Sequence, residues 1–325
     1  ATYEYTPTTG NLDGMAVGGR AEIWATDNLR LGVTVMRETT GTADQNMAGA
    51  DLRYEIGEQS YVEAEIARTD GPGFGRSIST DGGQTVTPSG IAGVTGATAL
   101  RFDSRFELKD LGLRRDGYFG VYAEHKGAGF STLTEDILED QDLIGVEGEI
   151  ALTDRAALGF AAESFRKDLG DEKTEGEVRL AYQIDGARKV TVGVAHVDKL
   201  TQTDPSETGQ RTDIGLRYDY RRSEDLSLYG FGQVTVAERG GSGANHRLGF
   251  GFDAQLSEKL ALEGEVSGGA KGAGGLVRLR YAPTADNEFY LGYTLDPTRT
   301  GAGYQLVGKD GGVFVVGARY RHSAA

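Results

Sequence analysis

The sequence has no cysteine, which excludes a disulfide framework and thiol catalysis. It has no run of about 18 apolar residues, so no helix of it crosses a membrane. Its low mean hydropathy does not exclude a membrane protein built from strands, because alternating strands hide their apolar half in the average. On a chain of net charge -15 the basic residues form no dense patch, which argues against nucleic acid as a partner. The only histidines are His125, His196, His246 and His322, all near strand ends or loops, and no local Ser-His or Asp-His motif is visible, so no enzymatic activity is expected. The sequence starts at Ala1, with no methionine and no apolar signal region at its beginning. The expectation is a mature form after signal cleavage, or the C-terminal part of a longer protein.

What the sequence has is glycine, 50 among 325 residues, and alternation. In the stretch from Asn245 to Gly268, Leu248, Phe250, Phe252, Ala254 and Leu256 share one parity, and Arg247, Gly249, Gly251, Asp253 and Gln255 the other. After the polar turn Ser257-Glu258-Lys259, Leu260, Leu262, Gly264 and Val266 alternate with Ala261, Glu263 and Glu265. Strand side chains point to opposite faces with period two, so this is an antiparallel hairpin with one apolar and one charged face. The unit recurs along nearly the whole chain, from Tyr3–Pro7 to Val313–His322. Connections are short at Asp27, Gly57, Asp154, Gly186, Glu224, Glu258 and Ala285, and longer between them, the longest at Thr69–Thr95. Strands of about 10 to 13 residues with loops segregated by length predict an all-β, closed, antiparallel, up-and-down transmembrane barrel. The count is about 18 strands with 16 as the alternative, in one domain over residues 1–325.

This pattern resembles bacterial outer-membrane β-barrel proteins, porins in particular. The resemblance implies a bacterial outer-membrane location and passive diffusion of small hydrophilic solutes. It implies outer-membrane lipid and lipopolysaccharide, those solutes, and other copies of the chain or a larger envelope assembly as partners. The alternative is an outer-membrane anchor or translocation barrel of a larger protein. In general porins the third external loop folds into the lumen; here Thr69–Thr95 takes that place, with Gly71-Pro72-Gly73-Phe74-Gly75 at its tip but without the family's acidic residue there. The candidate constriction is Phe74, Arg76 and Asp81. The ending departs from the porin pattern of a terminal aromatic, since it reads Tyr320-Arg321-His322-Ser323-Ala324-Ala325.

The charged parity supplies the candidate lumen lining: Arg20, Glu22, Arg53, Glu63, Glu65, Arg101, Arg105, Glu147, Glu149, Arg217, Glu263, Glu265, Arg278, Arg280 and Arg319. Glu263/Glu265 lie one strand from Arg278/Arg280, so cross-strand ion pairing is expected. Tyr54, Tyr182, Tyr218, Tyr220, Tyr281 and Tyr293 share the apolar parity near strand ends and read as an aromatic girdle. Glu135, Asp136, Glu139, Asp140 and Asp142 are a weak calcium candidate without EF-hand spacing, so a solvated acidic loop and no bound metal is the expectation. Gly268-Gly269 and Gly274-Gly275 are expected in loops without strand-to-helix context, which argues against phosphate binding. No cofactor is expected.

Overall fold

The computed structural model describes residues 3–5, 15–40, 43–71, 77–79, 87–88, 96–131, 137–202, 204–284, 286–295 and 312–320. The alternation becomes strand throughout. Seventeen long strands follow one another, up and down, as an antiparallel β-barrel. They are Met15–Trp24, Leu29–Thr40, Ala43–Glu55, Tyr61–Asp70, Ala97–Glu107, Gly117–Lys126, Gln141–Thr153, Ala156–Lys167, Glu172–Gln183, Arg188–Leu200, Gly209–Arg221, Leu226–Gly240, Arg247–Ser257, Leu260–Gly269, Gly272–Thr284, Asn287–Leu295 and Gly312–Tyr320. Among the described residues the one helical element is the 3-10 turn Pro205–Glu207, whose Ser206 N–H donates to the Asp204 side chain.

The expected strand at Tyr3–Pro7 does not join the barrel, so the count among the described residues is seventeen. Tyr3–Tyr5 pairs with Ser77–Ser79, which pairs with Thr87–Pro88, in a separate three-stranded sheet. Three residues cannot match a spanning strand of about 9–11 residues. Their backbone groups are satisfied by the long connection instead. Phe74, Arg76 and Asp81 lie outside the described residues.

The segregation of loops is looser than the sequence suggests. At the end expected to carry short turns, residues 108–116 make an extended connection. At the other end, 270–271 is a two-residue turn. Gly268-Gly269 and Gly274-Gly275 belong to paired strands, with Gly268 opposite Ala273 and Ser267 opposite Gly274. A Cβ on Gly269 would collide with the His246 carbonyl and one on Gly274 with the Arg247 side chain, whereas one on Gly268 would meet open space.

The chain divides into two compact units, residues 1–148 with 162–172, and residues 149–161 with 173–325. In the first, Asp51, Glu65, Arg101 and Glu124 lie opposite one another across four strands, all on one face. The other face carries Ile23, Val35, Leu52, Ile66 and Leu100, all exposed. In the second, Asp253, Glu263 and Arg278 run across one face, while Leu248 and Phe250 are 73% and 65% exposed on the other. Large apolar side chains exposed in such number are a lipid-facing surface. The only buried apolar residues among those described are Ala97, Leu108, Phe130, Ile137 and Ala261. The fold therefore has little conventional core, and strand pairing and the bilayer take its place.

Candidate functional site

The polar face of the first unit is a continuous ion network. Arg20 Nε lies 2.7 Å from Glu22 Oε1, and a second edge of its guanidinium lies 2.9 Å from Asp51. Its Nη1 also donates to Thr34 Oγ1 at 2.9 Å. Arg30 lies 3.8 Å from Glu22 and 3.7 Å from Glu63, and Arg53 reaches Glu63 at 3.2 Å. Arg20, Glu22, Arg53 and Glu63 are thus brought together, through two residues the candidate set lacked, Arg30 and Asp51. Asp51 is legible in hindsight: it is opposite Gly32, and a Cβ on Gly32 would collide with its carboxylate. Glu65 and Arg101 oppose each other in register, and Arg101 opposes Glu124. Arg105 bonds Glu107 at 2.7 Å and stacks 3.6 Å over Tyr118. Arg53 likewise stacks 3.7 Å over Tyr61, whose hydroxyl donates to Asp103 at 2.7 Å. Glu147 and Glu149 share the polar parity of Gln141–Thr153.

In the second unit Arg278 donates to Glu263 at 2.9 Å from the position directly opposite. The expected second pair does not form, because Glu265 faces Leu276 and Arg280 faces Ala261. Glu265 instead accepts the Tyr229 hydroxyl at 2.7 Å, and Arg217 lies 3.8 Å over that ring while bonding Asp219 at 2.8 Å. Arg280 also opposes Tyr290, and Arg319 opposes Glu288.

Tyrosines on the polar face recur opposite glycines. A Cβ on Gly145 would enter the Tyr122 ring, one on Gly251 the Tyr229 ring, and one on Gly317 the Tyr290 ring. Each bare glycine lets a flat ring lie across the neighbouring strand with its hydroxyl extended along the face. Tyr122 and Tyr229 use that reach to bond Glu163 and Glu265. Counting tyrosine as apolar conceals this arrangement. Glycine at charged-parity positions is the sequence signal that would reveal it.

Two connections fold onto the polar face. In the first unit Phe130 and Ile137, 5% and 6% exposed, cluster with Ala97 and pack against Ala67 and Ala99, all three alanines standing on charged parity. In the second unit the connection 241–246 is held by hydrogen bonds. Asp213, 7% exposed, accepts from Arg211 Nε at 2.8 Å, Gln233 Nε2 at 3.2 Å and the Thr235 hydroxyl at 2.6 Å. Gln233 also donates to the Asn245 carbonyl at 3.0 Å, and Thr235 Oγ1 accepts the Asn245 N–H at 2.8 Å. Arg211 and Lys271 both donate to the Ser242 carbonyl, at 3.3 and 3.2 Å. A register shift at Thr212/Asp213 accompanies the network.

The acidic stretch does not converge. Asp140 accepts the Ala128 N–H at 2.6 Å, Glu139 pairs with Lys167 at 3.3 Å, and Asp142 accepts from Arg166 at 3.1 Å and lies 2.8 Å from His125 Nδ1. Glu135 and Asp136 lie outside the described residues. Among the described residues no group of carboxylates and imidazoles is gathered for a metal ion.

Two turn carboxylates are held below the usual Asp range. Asp110 is depressed by the Ser60 hydroxyl, which donates at 2.6 Å, and by the N–H groups of Gln59 and Ser60. Asp185 is depressed by the Arg188 guanidinium and by the Ala187 N–H. The girdle tyrosines Tyr54, Tyr182, Tyr218, Tyr220, Tyr281 and Tyr293 are all exposed on the apolar face, and all but Tyr293 stand a few residues from a short turn.

Strand order, an exposed apolar face and a charged opposite face define a transmembrane β-barrel of the bacterial outer-membrane class. Among solved structures, the chain is similar to a mutant of the ferric enterobactin receptor PfeA of Pseudomonas aeruginosa, at TM-score 0.52 and 12% identity over 95% of this chain and 62% of that one. It is also similar to the FrpB iron transporter of Neisseria meningitidis, at TM-score 0.50 and 10% identity over 90% and 60%. The chain thus spans less than two thirds of these structures' length, and at this identity the likeness is one of fold. No protein-family model and no curated protein matches the sequence. Fold and lipid-facing belt together assign the chain to the bacterial outer membrane.

Proposed function

We propose that the protein is a porin-like channel for passive diffusion of small hydrophilic solutes. The observation that carries this is the accessible charge on the polar face. Arg20, Glu22 and Arg278 sit in ion pairs yet keep side-chain exposures of 41%, 40% and 52%. Charges that line a dry core are paired and buried, whereas these are paired and wet, as a water-filled path requires. The candidate lining residues, from Arg20 to Arg319, are the wall of that path in this reading. In each unit one connection, at Phe130 in the first and at Asn245 in the second, turns onto that polar face.

The reading is non-enzymatic. His125 pairs with Asp142, His196 Nδ1 meets Thr212 Oγ1 at 2.9 Å, and His246 Nδ1 accepts the Thr235 N–H at 3.1 Å, so the described histidines are occupied structurally. Outer-membrane lipid and lipopolysaccharide cover the apolar face. Reconstitution in planar bilayers tests the proposal. Ohmic single-channel steps are expected, with liposome swelling by small sugars. A folded, heat-modifiable protein that inserts without conductance would sink the channel and leave the anchor or translocation barrel.

A further inference from the structure

The second unit carries an open surface depression of about 620 Å³ lined by Asp185, Gly186, Ala187, Arg188, Tyr218 and Tyr220. Register places it on the lipid side. Arg188 is opposite Tyr220 and Val190 opposite Tyr218, and their face continues through the exposed Val192, Val194, Ile214 and Leu216. It sits at the short-turn end, level with the exposed tyrosines, where amphipathic rings mark the boundary between hydrocarbon and headgroups. An apolar wall on one side and a charged turn on the other call for an amphiphile.

The turn is built before any ligand arrives. Asp185 Oδ1 accepts the N–H groups of Ala187 and Arg188, each at 2.9 Å. Arg221 donates to the Gly186 carbonyl at 2.6 Å. Asp185 Oδ2 takes Nε and Nη2 of Arg188, and the Tyr218 side chain is a further hydrogen-bond partner of the guanidinium. Both side chains remain accessible, at 50% for Arg188 and 39% for Asp185. A fixed guanidinium beside a fixed carboxylate complements a phosphate beside an amine, whereas the carboxylate repels a headgroup with negative charge alone.

We infer that this depression is a binding site for a zwitterionic phospholipid, with the phosphate on Arg188, the amine on Asp185 and the acyl chains along Val190 and Leu216. The site is on the outside of the sheet and does not depend on the channel reading. Native mass spectrometry of the detergent-solubilised protein, titrated with phosphatidylethanolamine, phosphatidylglycerol or diacylglycerol, tests it. The wild type is expected to retain one phosphatidylethanolamine, with phosphatidylglycerol held about tenfold more weakly and diacylglycerol not retained. Arg188→Gln is expected to lose about tenfold in phosphatidylethanolamine retention. Asp185→Asn keeps an oxygen for the turn N–H groups and is expected to abolish the preference between the two phospholipids. Heat modifiability checks folding, and if Arg188→Gln fails it, the Tyr218→Phe/Tyr220→Phe double variant takes its place with reduced retention expected. Equal retention of all three lipids, or a folded Arg188→Gln that holds phosphatidylethanolamine like the wild type, would overturn the inference. So would displacement of the lipid by equimolar inorganic phosphate, which would mark a plain anion site.

Discussion

The two connections that turn onto the polar face are held by opposite chemistry. In the first unit the seat is greasy: Ala67, Ala97 and Ala99 interrupt the charged parity and receive Phe130 and Ile137. In the second unit the parity stays polar, and Asp213, Gln233 and Thr235 hold the backbone of Asn245. Both arrangements bury a segment on a face that is otherwise wet. They differ in what holds it. Apolar burial is non-directional and tolerates salt. The Asp213 network is directional and electrostatic, so it fixes one geometry and depends on the charge at its centre.

Deleting the apolar anchor is expected to have the largest effect. Phe130→Ala removes a nearly buried ring from a small cluster and should cost about 3–4 kcal/mol of local stability. Hydrogen exchange should rise at residues 128–131 and leave the 241–246 connection unchanged. The effect should persist in 1 M salt. Exchange that spreads evenly over the chain would show that the cluster supports the whole sheet rather than one connection.

Removing the polar anchor comes next. Asp213→Ala leaves Arg211, Gln233 and Thr235 facing a buried gap and should cost about 2–3 kcal/mol. Because the chain has no cysteine, Ser242→Cys offers a single thiol whose labelling reports release of the connection. Labelling should accelerate at least about tenfold in the Asp213→Ala background. Asp213→Asn keeps two acceptor directions fewer and no charge, so it should fall between the wild type and Asp213→Ala. Equal labelling in all three backgrounds would show that strand pairing alone places the connection.

A smaller loss is expected where a ring crosses a glycine. Gly251→Ala pushes a Cβ into the Tyr229 ring and should cost about 1–3 kcal/mol by overpacking. The matching Gly251→Ala/Tyr229→Ala pair should recover in thermal melts the part due to the ring, while the Gly264 carbonyl, 2.7 Å from such a Cβ, keeps the rest. A double variant no more stable than Gly251→Ala would place the damage in the backbone.

Much of the architecture was legible in the sequence, because period two survives in every strand where the two faces differ in polarity. The segment Leu226–Gly240 resisted reading because Tyr229 and Phe231 stand on the polar face while Gly230 and Gly232 stand on the other. Hydrophobicity alone inverts the faces there. Tyr3–Tyr5 misled for a related reason: alternation marks a strand but not the sheet it joins. Of the candidate site, which charged residues share one face was readable from the alternation, and the direct Glu263–Arg278 pair needed only that their strands be neighbours. The failure of Glu265 and Arg280 to pair needed the register, which a turn of one residue more or less would change. The Asp213 network was invisible because its partners come from a connection, and connections carry no periodicity.

The smallest expected effect separates the turn ends from both inturned connections. Asp110, in the extended connection 108–116, is held by Ser60, which also accepts the Glu107 N–H at 2.8 Å. Hydrogen bonds to the carboxylate depress its folded-state pKa below the ordinary Asp value of about 3.9. A depressed carboxylate contributes stability that is fully present above the unfolded value and is lost as pH falls through the folded one. Neutral pH should therefore show no titration of this turn, and its loosening should begin below about pH 4. The measurement is amide exchange at residues 57–60 in the wild type relative to Asp110→Asn, which cancels the intrinsic pH dependence of exchange. The ratio should favour the wild type from neutral pH down to the ordinary Asp value and approach unity at lower pH. Ser60→Ala should shift that convergence upward in pH, because it removes the strongest of the bonds that stabilise the charged form. A ratio that never departs from unity would assign the order of this turn to strand pairing and the buried Leu108, with no part played by the carboxylate.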